Sequence, residues 1–489
     1  MNTAAVTPET YRSHRNLPMI AGLCSLREAM APGLSVEDCV ARLKRLHYAF
    51  KRLHEIWIAR LTAEPAYELK MAFSLHSYYA AEHVAALRKR VGEMREPPLG
   101  LDAVPDAALE ILFDEIRAAP TTEALVLGLY EKAIPALADA LARYAADTNR
   151  LTDAPSVRLC RFAALEVDDM VHYGSAAIAA IVTAPIRVEH AAWLALLDEV
   201  LVAAGRLDGS QLSAPSSSSR TPSSCARRLH SARPFVYDPK PRRDERFPDP
   251  YNMGVHAEVF LYDENFSPQD KTLMMFYKRL REIDVPEMMA SIICETRGKP
   301  WGYMLDMTRQ LWDEARHAMM GEVGFVRQGL DWGRLVRVNF TWSLALNTQL
   351  GPLERHAVLY FIEQGLMPKT GKRYEWEIAT QSGDPFSALC QDFDWADEVL
   401  HARIGRDWYV TNFESPKAAS DYGDRNWSKV LIDWNAYKAD GRTAHANWWP
   451  ELYRTACEHW KKSPDPRALA YDTSYAAARA DLKDISVSG

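Results

Sequence analysis

Apolar side chains recur at helical spacing through most of the first 206 residues. Leu43, Leu46, Phe50 and Leu53, for example, fall on one face of a helix predicted over residues 36–62. Alternating β-branched residues, which would predict strands, never persist along the chain. The same helical spacing predicts further helices at about 67–94, 106–117, 122–148, 156–184 and 187–205.

The helical pattern stops in residues 207–262. Residues 207–233 are rich in Ser, Pro and Arg and offer too little apolar surface to offset the entropy lost on ordering. We therefore expect a flexible Ser/Pro/Arg linker there, followed by a Pro-rich extended segment that ends at about Tyr262. By this division, residues 1–34 are an N-terminal extension and residues 35–206 form a first, degenerate helical bundle.

Helical spacing resumes at Ser267, which can cap a helix that begins with Pro268. We expect residues 263–412 to form a second bundle and the Trp-rich residues 413–489 to form helices that cover it. The helices expected in this bundle are 267–296, with a kink at Pro286, then 301–326, 331–348, 354–366 and 386–409.

Two short segments of the first half recur in the second half. Residues 50–56 read FKRLHEI, and residues 277–283, which lie 227 residues later, read YKRLREI. Residues 168–172 read DDMVH, and residues 397–401, which lie 229 residues later, read DEVLH. The nearly constant offset predicts an all-α protein made of two duplicated bundles, and chance similarity between amphipathic helices is the alternative.

Composition narrows the class of protein. The 489 residues are 48% hydrophobic and 25% charged, which suits a folded chain, and the net charge of −7 argues against nucleic-acid binding. No apolar run approaches the roughly 18 residues that a membrane span needs, and the first residues lack a signal core, so we expect a cytoplasmic protein. The seven cysteines form no C-x-x-C pair, which argues against disulfides or a thiolate zinc site.

Candidate chemistry comes from two Glu-x-x-His sequences, Glu314 to His317 and Glu398 to His401. Residues three apart on a helix share a face, so each motif directs a carboxylate and an imidazole to one point. A single motif of this kind is usually a solvated acid beside a surface histidine. Two of them are typical of bundles that hold two metal ions, in which two further helices give one glutamate each.

The two single glutamates should lie about 30–35 residues upstream of the motifs, because antiparallel helices bring such positions to one level. Glu363 lies 35 residues before Glu398 and fits. Before Glu314 there are two candidates, Glu282 at 32 residues and Glu287 at 27 residues. Glu282 is favoured because it lies at the same height along the bundle as Glu314, whereas Glu287 is favoured by its more apolar surroundings. The two side chains point about 140° apart on a helix, so only one is expected to be a direct ligand.

Charge supports two metal ions. Four buried carboxylates would repel one another, and two divalent cations would neutralise them. Oxygen-rich ligation with two imidazoles suits iron or manganese. Behind the ligands, Asp313 and Asp397 are each expected to accept the outer N–H of the histidine on the opposite helix. Arg316 is expected to pair with Asp397, or else to belong to a surface charge pair.

The motifs resemble those of ferritin-like di-iron carboxylate proteins. Asp313-Glu-Ala-Arg-His317 and Asp397-Glu-Val-Leu-His401 are similar to the paired D-E-x-R-H and D-E-x-x-H motifs of di-iron oxygenases. A closer resemblance is to an uncharacterised bacterial ferritin-like family related to a tRNA-hydroxylating di-iron enzyme. It covers about 130 residues of the second half and rests on residues 281–287, 312–317, 363–368, 383–384 and 397–408.

The resemblance implies a chemistry without naming a substrate. It implies two iron ions (manganese is the alternative), O2 as oxidant, and Glu314 and Glu398 as the catalytic carboxylates. Electrons would come from an external donor such as a partner reductase, since no flavin, haem or iron–sulfur motif is visible. The long N-terminal half, the Ser-rich linker and the Trp-rich tail depart from the family, which puts any transfer of substrate in doubt.

The first half keeps only part of the ligand pattern. Glu55 aligns with Glu282 and Glu131 with Glu363. The sequence from Asp169 to His172 aligns with the second motif, but the Glu-x-x-His order is lost around Glu82 and His83. We expect a degenerate copy without metal, with a working second site as the alternative.

These observations predict an enzyme that activates O2 to hydroxylate or oxidise a small organic molecule. One alternative is a ferritin-type protein that binds metal or scavenges peroxide without an organic substrate. Another is a metal-free helical scaffold. The sequence leaves open the substrate, the choice between iron and manganese, and the oligomeric state, a homo-oligomer included.

Overall fold

The computed structural model describes residues 5–94, 100–211, 227–365, 367, 371–432 and 434–474. Throughout these ranges the regular structure is helical and no strand occurs, which confirms the predicted all-α class. The chain divides into two compact units, one of Met1–Ile56 with Tyr79–Val236, the other of Trp57–Tyr78 with Tyr237–Gly489. The duplication of a bundle stays a prediction.

The first unit is built from α1 to α9, although the end of α2 and the start of α3 belong to the second unit. A π-helical segment, Leu127–Ala133, separates α5 from α6 where one helix was expected. Pro135 explains it, since its ring clashes with the carbonyl four residues earlier and widens the turn. The bounds are α1 Leu26–Met30, α2 Val36–Leu61, α3 Tyr67–Met94, α4 Ala107–Arg117, α5 Thr122–Val126, α6 Ile134–Asp147, α7 Ala154–Ile181, α8 Ala184–Glu189 and α9 Ala191–Ala203.

The second unit contains α10 to α22. Its centre is a bundle in which α13 packs against α11, α12 and α18, while α16 packs against α12 and α18. The bounds are α10 Ala257–Tyr262, α11 Pro268–Arg281, α12 Asp284–Glu295, α13 Trp301–Arg327, α14 Trp332–Leu335, α15 Thr341–Gln349, α16 Pro352–Gly365, α17 Lys372–Gln381, α18 Pro385–Trp408, α19 Pro416–Ile432, α20 Trp434–Ala439, α21 Trp449–Trp460 and α22 Pro466–Leu469.

A kink separates α11 from α12 at Glu282. The predicted cap is present, because Ser267 accepts a hydrogen bond from the backbone N–H of Asp270. The ring of Pro286 opposes the carbonyl four residues earlier, which is that of Glu282. That carbonyl instead accepts from the N–H of Val285 at 3.0 Å, which closes a tighter turn. The predicted proline kink therefore falls on a candidate metal ligand.

Several elements differ from the prediction. The helix expected at 331–348 is two helices, α14 and α15, and α10 forms within the segment expected to be extended. No periodicity predicted α17, which packs against α11 and α18. Residues 212–226 of the expected flexible linker, and residues 475–489 of the expected covering helices, lie outside the described residues.

Helix α21 and the residue before it pack on the bundle through aromatic side chains. Trp448 lies with its ring centroid 4.6 Å from that of Tyr277 on α11, and Trp449 lies 4.7 Å from Phe260 on α10. In the part of the chain that the structure describes, none of the helices combines the length and apolar character that crossing a membrane requires.

Candidate metal centre

Six predicted side chains meet inside the second unit. Glu282 comes from the kink after α11, Glu314 and His317 from α13, Glu363 from α16, and Glu398 and His401 from α18. Their ligand atoms, with those of Asp394, fall into two groups within which all atoms lie inside 4.8 Å of one another. The groups are Glu282, His317, Asp394 and Glu398, which we call the His317 position, and Glu314, Glu363, Glu398 and His401, which we call the His401 position.

The spacing of these atoms is that of ligands around metal ions. Nδ1 of His317 lies 3.4 Å from Oε2 of Glu282 and 3.6 Å from Oε2 of Glu314. Nδ1 of His401 lies 3.2 Å from Oε1 of Glu314 and 3.6 Å from Oε2 of Glu398. Two atoms that each lie about 2.1 Å from one metal are separated by about 3.0–3.5 Å. Glu314 therefore presents one oxygen to each imidazole, as a bridging carboxylate does.

The same atoms lack other partners. Among the described residues, Nδ1 of both histidines and Oε2 of Glu282, Glu363 and Glu398 are buried without a hydrogen bond. A buried polar atom left without a partner costs about 1–3 kcal/mol, so five of them converging on one place need a common explanation. Two cations would satisfy all five, and the residues present therefore fit a dinuclear metal centre of oxygen and nitrogen ligands.

Each histidine is held from behind by the aspartate of the opposite motif. Nε2 of His317 lies 3.1 Å from Oδ2 of Asp397, and Nε2 of His401 lies 3.4 Å from Oδ2 of Asp313. A carboxylate only accepts, so in the neutral form of each imidazole Nε2 carries the proton and Nδ1 has the lone pair that a metal would take. Arg316 pairs with Asp397 at 2.8 Å and also with Asp313, which ties the two carboxylates together.

Without a metal, protons and basic side chains balance the buried charge. Burial raises the pKa of Glu363, and the neighbouring Glu398 and Glu314 raise it further. Burial also opposes ionisation of Glu282, but Arg279 and Lys372 lower its pKa to about 2. Burial would lower the pKa of His317, but the surrounding carboxylates of Asp397, Glu282 and Glu314 raise it to about 10. Metal binding would release such protons.

Glu287, the other candidate from the sequence, lies outside both groups. Its carboxylate accepts from Lys70 at 2.9 Å, from Arg243 at 2.9 Å and from Ser343 at 2.8 Å. The kink after α11 rotates it away from Glu282 toward these donors. Of the two candidates that the sequence left open, Glu282 is therefore the member of the cluster, and Glu287 is not a metal ligand but a carboxylate paired with basic and hydroxyl side chains.

Sequence reasoning missed three charged residues of the cluster. Asp394 lies one helical turn before Glu398 on α18, and its acidic side chain at i and i+4 was a signal that could have been used. Lys372 is the first residue of α17, a helix that no periodicity predicted. Arg279 is buried on α11 and pairs with Asp394 and, at 2.9 Å, with Glu282.

A cavity of about 200 Å³ adjoins the cluster. One side of it is formed by ligand carboxylates, those of Glu282, Glu314, Glu363 and Glu398. The other walls are mostly apolar and include the stacked pair Trp342 and Trp427, whose ring centroids are 3.8 Å apart. The remaining apolar lining residues are Val285, Met288, Leu346, Leu359 and Ile362. A small molecule in this space would contact the ligands directly.

The aligned residues of the first half make other contacts. Glu55 pairs with Arg52 at 3.3 Å and Glu131 with Arg187 at 2.7 Å. The side chain of His172 is 76% exposed and contacts its own helix. Within the described residues, both groups of potential metal ligands lie in the second unit.

Comparison with known proteins adds no relative. No family model, no curated protein and no solved structure matches this chain. The resemblance to ferritin-like di-iron proteins therefore rests on the motif residues alone.

Proposed function

We propose that this chain is a di-iron carboxylate oxidoreductase of the ferritin-like superfamily, with manganese as the alternative metal. In this proposal it uses O2 to hydroxylate or oxidise a small, largely apolar molecule. The observation that carries the proposal is the cavity, because its walls combine ligand carboxylates with apolar and aromatic side chains. A protein that only stored metal or consumed peroxide would have no need of an apolar chamber beside its ligands.

The reaction needs an external reductant. Hydroxylation places one oxygen atom of O2 in a C–H bond and reduces the other to water, which takes two electrons and two protons. Two ferrous ions would supply electrons to O2 at this site, and a reduced electron-transfer protein is the class of partner that would restore them. Glu314 lies within 3.6 Å of both imidazoles and Glu398 belongs to both groups, so these two carboxylates would hold both ions.

The cavity walls favour an uncharged substrate. Arg281 and Glu258 line the cavity and pair with each other at 2.6 Å, and Asp284 pairs with Arg243. Each of these charged side chains is therefore already paired with an opposite charge of the protein. A 150 Å³ apolar cavity holds benzene, so about 200 Å³ corresponds to a substituted single ring or a short hydrocarbon chain. The apolar walls also keep water away from the reacting atoms.

Metal loading and turnover test the proposal in sequence. Chelator-treated protein is loaded with Fe²⁺ under nitrogen, its iron is counted, and O2 consumption is followed with a chemical reductant and toluene or indole as probe. We expect about two iron ions per chain, hydroxylated product, and loss of both metal and product in Glu398→Ala. Glu377→Ala, which changes a half-exposed glutamate on α17, serves as the matched control.

A second variant separates the substrate from the metal. Ile362→Trp reduces the cavity volume and replaces none of the ligands, so it should keep the iron and lose the product. Consumption of O2 with no product from any probe of this size would favour the ferritin-type alternative. Protein that takes up no iron or manganese, with Glu398→Ala unchanged in every respect, would leave only the scaffold.

A further inference from the structure

Lys372 reaches into the carboxylate cluster. It begins α17, its side chain is 1% exposed, and its Nζ lies 2.7 Å from Oε1 of Glu398. The same Nζ lies 2.9 Å from both carboxylate oxygens of Asp394 and 4.0 Å from Oε1 of Glu282. A lysine ammonium thus contacts three of the four ligand residues of the His317 position.

The two positions differ in how much positive charge the protein already supplies. At the His317 position, Arg279 pairs with Glu282 and Asp394, so two basic side chains meet three carboxylates. At the His401 position, Glu314 and Glu363 form no ion pair with a lysine or arginine among the described residues. The attraction for an incoming cation is therefore greater at the His401 position.

Glu398 connects the two positions. Its Oε2 lies 3.6 Å from Nδ1 of His401, whereas its Oε1 is held by Lys372. At the His401 position, Glu398 would offer an oxygen that Lys372 does not hold. At the His317 position, a metal would compete with Lys372 for the carboxylates of Asp394 and Glu398, so buried ion pairs would have to break first.

We propose that the ammonium group of Lys372 takes the place of a metal ion at the His317 position, so that the two metal ions bind one after the other. The His401 position fills first, and the His317 position fills only after the ammonium has left Glu398. This inference rests on the proposed function to the extent that the cluster must bind metal. Its consequence is that the chain passes through a stable one-metal form, in which the lysine keeps the second position closed.

Titration of chelator-treated protein with Mn²⁺ tests the order. Binding is followed by calorimetry, and electron paramagnetic resonance distinguishes isolated from coupled Mn²⁺. We expect the first Mn²⁺ to bind at least about tenfold more tightly than the second, with only the isolated signal at one equivalent. In Lys372→Met the two affinities should come within about threefold and the coupled signal should appear early, while Lys372→Arg keeps the charge and the order.

Lys278→Met is the matched control, because Lys278 is also buried and lines the cavity, but its ion pair is with Glu375, which is not a ligand. It should leave the tenfold difference in place. The ordering is overturned if wild-type protein binds two Mn²⁺ with equal affinity, a result that needs no variant to be folded. It is also overturned if folded Lys372→Met keeps the wild-type difference. Wild-type protein that binds no Mn²⁺ or Fe²⁺ at all would instead overturn the proposed function.

Discussion

Asp397 on α18 lies 3.1 Å from Nε2 of His317 on α13. The relationship is reciprocal, because Asp313 on α13 contacts Nε2 of His401 on α18. Each helix thus contributes a Glu-x-x-His pair to the cluster and the carboxylate that orients the histidine of its neighbour. The tautomer of both imidazoles is set by contacts between helices that are distant in sequence.

Asp397→Asn should weaken metal binding while leaving the fold in place. An amide carries no charge to support the imidazole and also loses the ion pair with Arg316, so we expect metal affinity to fall by about 10–100-fold. Competition for Co²⁺ against a chromophoric chelator measures it. Asp392→Asn, an exposed change on the same helix, is the control. Equal affinities in the two variants would show that Asp397 does not support the ligand.

Substitution by glutamine should lower the stability of the protein at Glu287 but its metal binding at Glu282. Glu287→Gln leaves the buried cations of Lys70 and Arg243 poorly matched, so we expect the free energy of unfolding to fall by about 3–5 kcal/mol with Mn²⁺ stoichiometry unchanged. Glu282→Gln should instead lose Mn²⁺ at the His317 position. Urea unfolding of the metal-free proteins and Mn²⁺ titration give the two readouts. Loss of metal in Glu287→Gln at normal stability would reverse the assignment.

Gly321→Ala should destabilise the second unit. Gly321 on α13 faces the backbone of α11, and a Cβ placed there would overlap Leu280 and Phe276. We expect a loss of about 1–3 kcal/mol in the free energy of unfolding, measured in urea, as α11 is pushed outward. Gly302→Ala, whose Cβ would lie 3.5 Å from Trp408, should be neutral or slightly stabilising. A neutral Gly321→Ala would mean that the two helices can separate without cost.

Protonation of His356 should account for part of the loss in the free energy of unfolding at acid pH. Burial, with the positive charge of Lys299, lowers the pKa of His356 to about 3, while the unfolded chain keeps the ordinary value near 6.5. The unfolded state therefore binds the extra proton between these values, and stability present above about pH 6.5 is lost as the pH falls toward about 3. The contribution reaches about 1.4 kcal/mol per pH unit.

His356→Leu tests this contribution. It removes the titrating group from a site between Tyr303 and Tyr409, so the free energy of unfolding should depend less steeply on pH between about 4 and 6. Urea unfolding at a series of pH values measures the slope, and His172→Leu, at an exposed histidine, is the control. Identical slopes in all three proteins would assign the acid sensitivity to other groups.

The local pattern of the sequence was sufficient to predict the fold class, most helices and part of the candidate metal centre. Helical spacing predicted the class and most helix bounds, because an amphipathic helix records its buried face in its own sequence. The paired motifs and the level of Glu363 predicted five members of the cluster, because residues three apart share a helix face and antiparallel helices match by length. These five are Glu314, His317, Glu363, Glu398 and His401. Pro286 also marked the kink, since a proline acts on the carbonyl four residues before it.

Tertiary structure decided what depends on contacts between separated segments. The choice of Glu282 over Glu287 followed from donors on other segments, Lys70 and Arg243, which no spacing around Glu287 announces. The insertion of Lys372 depended on α17, whose packing against α11 and α18 stabilises it without a strong periodic pattern of its own. Spacing along one helix therefore determined which side chains share a face, and packing between helices determined which charges meet there.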